Sequence, residues 1–258
     1  MFKVVKESGK SNGTGEFLKS VLIEVATENY RQLMQENMSL GDIPLDPPLK
    51  ASERIMSGLF ANAISKVSAR SRPEARIDRE KECDNDPDAD EVDEKKSKAG
   101  RVDFLAWHGN RTIAIELKVA GINWSDPQIT IQARNRWNKV VDQATTARKA
   151  LMERSREDKS RYPNIESIGL MVLVTRSPKK AEHLNKEEIV VKIQETITEI
   201  KKNLVTETNE KLIRPDFIAT YTFPSEFRDF IKKRRGKENA DGKISSTPFV
   251  IFMAYRAK

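Results

Sequence analysis

An α/β protein, with a mixed β-sheet flanked by helices, is predicted from three features of the sequence. Two strand-like segments face each other across Gly109-Asn110. A stripe of apolar residues at helical spacing follows, from Trp137 to Met152. The run Ile168 to Thr175 is then continuously apolar, as in a strand covered on both faces. Helical and strand periods that alternate in this way place helices against the faces of a sheet.

The elements are expected in the following order. Phe17, Leu18, Val21, Leu22 and Val25 recur at helical spacing and predict a helix running to about Glu36. A loop closed by Pro47 and Pro48 leads to Ser52, which can cap a second helix whose stripe is Ile55, Met56, Leu59, Phe60, Ala63, Ile64 and Val67, with Pro73 marking its end. Ala75 to Glu82 reads as a first strand, and Asp84 to Gly100 as a loop too acidic and apolar-poor to pack. Arg101 to His108 and Arg111 to Val119 form a hairpin, because glycine and asparagine both tolerate the positive φ of a tight turn. A long helix is expected from Gln128 to Ser155, with Trp137, Val140, Val141, Ala144, Ala147, Leu151 and Met152 buried. Further on come a helix from Lys186 to Leu204, strands at Phe217 to Phe223 and Pro248 to Tyr255, and a short helix at Ser225 to Lys233.

With 258 residues, the chain can bury one sizeable core. Charged residues make up 33% and hydrophobic ones 38%, which suits a solvated globular protein rather than a disordered or membrane-embedded one. No apolar run is long enough to span a bilayer, and Met1 to Lys10 lacks the apolar centre of a secretory signal, so a cytoplasmic protein is expected; the single cysteine, Cys83, agrees. The formal charge of +7 favours a polyanionic partner, and the acidic stretch from Asp84 to Glu94 leaves the remainder more basic still.

The residues that carry chemistry lie in the hairpin. Arg101-Val-Asp-Phe-Leu and Ile113-Ala-Ile-Glu-Leu-Lys118 put two carboxylates on adjacent strands, with a lysine two residues beyond the second. Period-two alternation sets Glu116 and Lys118 on one face, and a suitable register brings Asp103 alongside. Two carboxylates and a main-chain carbonyl, most naturally that of Leu117, are the hard oxygen donors Mg²⁺ takes while keeping several waters. A metal held there polarises a phosphoryl oxygen and acidifies a bound water, and the Lys118 ammonium can orient that water and stabilise developing charge. An ordinary Glu116–Lys118 ion pair on an exposed sheet face is the alternative. A charged pair inside an otherwise apolar strand argues for function instead.

Asp103 followed by Glu116-Leu117-Lys118 resembles the PD-(D/E)xK, or restriction-endonuclease-like, nuclease superfamily. The resemblance covers roughly Glu53 to Thr175 and implies the family's αβββαβ core; Val102 stands where the family's eponymous proline would be. It implies a metal-dependent endonuclease hydrolysing DNA, less often RNA, with Mg²⁺ (Mn²⁺ able to substitute) and catalytic roles for Asp103, Glu116 and Lys118. The chain then divides into a helical lead at 1–50, a nuclease core at 51–176 and an α/β extension at 177–258 packed on the core. A free-standing restriction or phage-defence enzyme fits the size, and a homodimer is expected because cutting both strands commonly uses two such sites. The alternatives are a nuclease subunit of a larger defence or repair complex, with a protein partner supplying activation, and a non-catalytic nucleic-acid-binding protein of the same fold.

Many family members add an acidic residue from the first core helix, and Glu53 is the candidate metal ligand, although a helix dipole also favours glutamate in a first turn. On the long helix Gln132, Arg136, Lys139 and Gln143 fall at spacings of four, three and four along one flank. Such a flank is either the solvated boundary of the buried stripe or, if it meets the cleft, a phosphate-holding row. The resemblance makes Gln143 its catalytic member, with Gln132, Arg136 and Lys139 touching nucleic acid. Arg70, Arg72, Arg76, Arg79 and the run Lys232 to Arg235 are further backbone-phosphate candidates or plain surface. Trp124 either stacks on a base or covers a sheet edge. Ser8 to Ser11 lacks the glycine and preceding strand of a phosphate-binding loop, Glu226 lies at a helix start rather than in a strand, and His108, His183 and Cys83 form no zinc pattern.

Overall fold

The computed structural model describes residues 1–7, 13–40, 49, 53–78, 99–177, 185–208, 211–224, 229–232 and 243–257. In chain order these form β1 (Phe2–Glu7), α1 (Gly13–Leu40), α2 (Glu53–Val67), β2 (Arg70–Asp78), β3 (Ala99–His108), β4 (Arg111–Asn123), α3 (Ile131–Glu157), β5 (Ile165–Arg176) and α4 (Lys186–Asn203). Six short or terminal strands follow: β6 (Thr206–Thr208), β7 (Lys211–Ile213), β8 (Phe217–Thr222), β9 (Asp229–Lys232), β10 (Lys243–Ser246) and β11 (Phe249–Ala257).

The fold is α/β. A seven-stranded mixed sheet in the order β1-β8-β11-β5-β4-β3-β2 forms its middle layer, with β4 and β5 parallel and every other neighbouring pair antiparallel. Residues before position 51, between 51 and 176, and after 177 all contribute strands to this sheet.

Alternation along the central strands supplies two cores. Ile113, Ile115 and Leu117 of β4 and Ile168, Leu170 and Val172 of β5 face α1 and α2, where Phe17, Leu22 and Phe60 are fully buried. Ala120 and Ile122 of β4 and Met171 and Leu173 of β5 face α3 and α4, packing on Trp137, Val140 and Ile197. Two helical layers explain why β5 and β11 are apolar on both faces.

Helix α3 begins where Thr130 caps it, its side chain accepting the Ala133 N–H at 3.1 Å. Seven residues were expected in its buried stripe and six are buried; Met152 instead stands 40% exposed, at the last turns where the helix runs past the sheet. Gly169 of β5 lets the helix lie close, since a Cβ there would come within 2.7 Å of the Val140 carbonyl oxygen. The hairpin turn uses Gly109 at φ 58°, and Gly109 is the residue of the pair that takes positive φ. That matches a turn with glycine at its first central position.

Several boundaries differ from the sequence reading. Pro73 lies inside β2 rather than after α2, which ends at Val67 with Ser68 bonded back to Ile64. Proline is tolerated because β2 is an edge strand, the place in a sheet where a residue without an N–H is accommodated. Ala99 and Gly100, expected in the acidic loop, begin β3. Asp229–Lys232, expected in a short helix, is strand β9 paired antiparallel with the next strand, β10, Lys232 standing opposite Lys243, so its backbone is satisfied by a neighbouring strand rather than within a helix. Strand β1 was not anticipated, and it corrects the expectation that no strand precedes Ser8; its alternation is blurred by Val4-Val5 and a bulge between Val4 and Lys6. The expectations for Ser8 to Ser11, Ser52, Arg79, Cys83, the 84–94 stretch, His183, Glu226 and 233–235 fall outside the described residues.

Candidate active site

The chemistry-bearing residues meet where two strands part. β3 and β4 pair from His108 and Arg111 as far as Phe104 and Ile115. Beyond that point β3 continues along β2 to Ala99, whereas β4 continues along β5 to Asn123. The sheet therefore splits into a fork, and Asp103 and Glu116 are the first residues beyond the last paired positions, Phe104 and Ile115.

A strand that loses its neighbour leaves backbone groups without partners, and these must be satisfied in another way. Side chains do so here. The Asp103 carboxylate accepts the Leu117 N–H at 2.7 Å, and a Glu53 oxygen accepts the Val119 N–H at 3.3 Å. The Lys118 ammonium donates to the Leu117 carbonyl at 2.8 Å and to the other Glu53 oxygen at 3.1 Å. Asp103, Glu53 and Lys118 thus replace the missing strand, and a short stretch of β4 ties them together.

Glu116 is 1% exposed and pairs in register with Gly169, so it lies on the face packed by α3. The Lys118 side chain is 14% exposed and that of Glu53 39%, which makes the pair a partly buried contact at the mouth of the fork. A carboxylate as deeply placed as Glu116 is costly to keep charged without charged or hydrogen-bonding neighbours.

Two clefts adjoin the fork and share Glu53 and Arg54. One, of about 590 Å³, is lined by Asp103, Phe104, Pro73 and Glu74. Glu74 there holds φ at 48°, a strained left-handed backbone for a glutamate. The other, of about 470 Å³, is lined by Gly121, Gln132, Arg136, Val174 and Arg176. It opens beyond the carboxyl ends of the parallel strands β4 and β5.

The flank of α3 divides. Gln132 and Arg136 reach the second cleft beside Glu53, whereas Lys139 is exposed and Gln143 lines neither cleft. The Gln143 Oε1 is buried with no hydrogen-bond partner among the described residues. Trp124 is buried against Phe249 at 6.3 Å between ring centroids, so it covers the sheet end and is not open to a base. His108 is structural, with Nδ1 at 2.8 Å from the Val67 carbonyl oxygen and its ring on Phe17. Arg70 lies 5.1 Å over the Trp107 ring.

Arg54 and Arg176 were missed in the sequence. Arg54 adjoins Glu53 in the same helical turn, and Arg176 ends the apolar run of β5, a place where parallel strands often present ligand sites. These two signals could have found them.

Among the described residues, no group of three or more His, Cys, Asp and Glu side chains is arranged to hold a metal. Mg²⁺ does not require one, since it takes one or two carboxylates and keeps several waters. Asp103, Glu116 and the Leu117 carbonyl fit that demand by donor chemistry. Both Glu53 oxygens are already engaged, so Glu53 would join a metal only by exchanging its bonds to Lys118 and Val119. Comparison with protein-family models, with curated proteins and with solved structures gave no match.

Proposed function

We propose that the protein is a divalent-cation-dependent endonuclease acting on DNA, of the restriction-endonuclease-like kind. The observation that carries this reading is the fork, which gathers Asp103, Glu116, Leu117 and Lys118 around a few atoms of β4. The order α2-β2-β3-β4-α3-β5 supports it, being the helix-strand-strand-strand-helix-strand order that the resemblance implies. A basic chain with two clefts at that fork suits a polyanionic substrate.

In this reading Asp103, Glu116 and the Leu117 carbonyl would hold Mg²⁺. The bound ion supplies Lewis-acid polarisation of a phosphoryl oxygen and a more acidic water. The chain's own residues do the rest. Asp103 fixes the Leu117 peptide and with it the direction of the neighbouring carbonyl. Glu53 holds the Lys118 ammonium at the fork, ready to orient a water and to face the charge that builds on the phosphoryl oxygens during attack. Water's oxygen would form the new bond to phosphorus while the bond to one deoxyribose oxygen breaks, the water giving up a proton and the leaving oxygen taking one.

One observation favours a second reading, binding without cleavage. The Lys118 ammonium already occupies the Leu117 carbonyl and a Glu53 oxygen, so the site as built is closed on itself. An activating partner or a homodimer contact that releases this pair would reconcile the two.

Cleavage of supercoiled plasmid, linear duplex and single-stranded DNA separates these readings. Cutting is expected with Mg²⁺ and not with EDTA, and Lys118→Ala is expected to lower the rate by about 10²- to 10³-fold, the usual cost of one transition-state donor. Glu116→Ala should abolish it. Duplex binding with no cutting and no Mg²⁺ uptake in a calorimetric titration would leave the binding-protein reading.

A further inference from the structure

We infer that the cleft lined by Arg54, Arg136 and Arg176 is a dedicated backbone-phosphate subsite, which grips the DNA strand beside the fork rather than at it. The three guanidinium groups come from three separate elements, the first turn of α2, the flank of α3 and the carboxyl end of β5. Among the described residues none of the three forms an ion pair or a side-chain hydrogen bond, although acidic partners are available elsewhere to Arg31, Arg101 and Arg111. Glu53, the carboxylate of this cleft, is committed to Lys118 and Val119.

Like charges lining one cleft repel each other, and an anion placed among them lowers that cost while gaining charge-assisted bonds. Arginine suits this role because its planar fork matches the tetrahedral oxygens of a phosphate. The volume, about 470 Å³, admits a group the size of a nucleotide. Gln132 adds a neutral donor to the same wall.

The neighbouring cleft has the opposite character, with Asp103, Glu74 and Glu53 on its walls. The two clefts meet at Glu53 and Arg54, so a strand held by the arginines runs on toward Asp103. The identity of the adjoining phosphate as the one cut rests on the nuclease reading; the subsite itself does not.

The test is binding of a labelled duplex to the full chain in EDTA, where no cutting occurs, across a series of salt concentrations. The probe protein is Arg54→Gln/Arg136→Gln/Arg176→Gln. A charge-matched control, Arg148→Gln/Arg156→Gln/Lys159→Gln, alters a basic hollow that these residues line at the far end of α3. The cleft variant is expected to bind at least about tenfold more weakly at low salt, and to lose about three units of salt slope, near 0.9 for each phosphate contact removed. The control should keep more of both, with unchanged circular dichroism in each. Equal losses in the two variants, an unchanged slope in the cleft variant, or no duplex binding by the native chain would overturn the subsite. Binding that depends on the three arginines, with neither Mg²⁺-dependent cutting nor Mg²⁺ uptake in a calorimetric titration, would sink the nuclease reading and leave the subsite standing.

Discussion

An ammonium held 2.8 Å from a strand carbonyl and 3.1 Å from a carboxylate, as that of Lys118 is, has given up much of its hydration and is fixed by two acceptors. That is the difference between a lysine free on a surface and one fixed in place. Glu28 shows the same logic away from the fork. It is buried on α1, and bonds from Arg31, first in weight, then Gln32 and Lys66 hold its carboxyl at about 2, against an ordinary 4.5. A carboxyl depressed in the folded state stabilises fully above its unfolded value and loses that contribution as protons bind. Stability should therefore fall as pH drops from about 4.5 toward 2, by at most about 3 to 4 kcal/mol, and the fall should be much shallower in Glu28→Gln. Urea unfolding at several pH values in that window checks it; parallel profiles would show that Glu28 is not the group responsible.

At the scale of elements, the fork between β3 and β4 and the seating of α3 on β5 decide the site. Gly169 lies beneath α3 and in register with Glu116, so the helix and the buried carboxylate meet at one position. Gly169→Ala would drive a methyl group to within 2.7 Å of the Val140 carbonyl oxygen, which belongs to helix backbone and cannot swing aside. The expected outcome is a loss of about 1–3 kcal/mol by denaturant unfolding, as for other overpacked interiors. Weaker duplex binding should accompany it, because Gln132 and Arg136 ride on the same helix. A variant as stable as the native chain would mean that α3 does not lie this close. The hairpin was legible from Gly109-Asn110 and its flanking alternation, since both are local. The fork was not, because nothing within β4 records where β3 leaves it.

For the whole molecule, the sheet has two edges, and each is blunted. β1 carries Lys3, Lys6 and a bulge between Val4 and Lys6, and β2 carries Pro73 with Arg70 and Arg72. Such features discourage a sheet from adding foreign strands. Deleting residues 1–7 would uncover β8, whose outer neighbour is β1 alone. Aggregation measured by light scattering should rise, while the proposed Mg²⁺-dependent cutting, where the native chain shows it, should persist in the soluble fraction, since β8, β11 and β5 separate β1 from β4. A soluble, unaggregated deletion variant would show that β1 does not guard this edge. Among the described residues no helix is long and apolar enough to cross a membrane.

The sequence by itself determined the α/β class, the hairpin, the long helix and the apolar strand β5, because each is written in a local period or a turn dipeptide. It also singled out Asp103, Glu116 and Lys118, since charges inside an apolar strand stand out without any knowledge of neighbours. Only the tertiary structure decided what they touch. Glu53 lies 65 residues from Lys118 in the chain yet holds its ammonium, and Arg54, Arg136 and Arg176 share a cleft that no spacing reveals. Contacts between separate elements depend on where strands diverge and how closely helices pack, and these follow from the cores on both faces of the sheet rather than from any one segment.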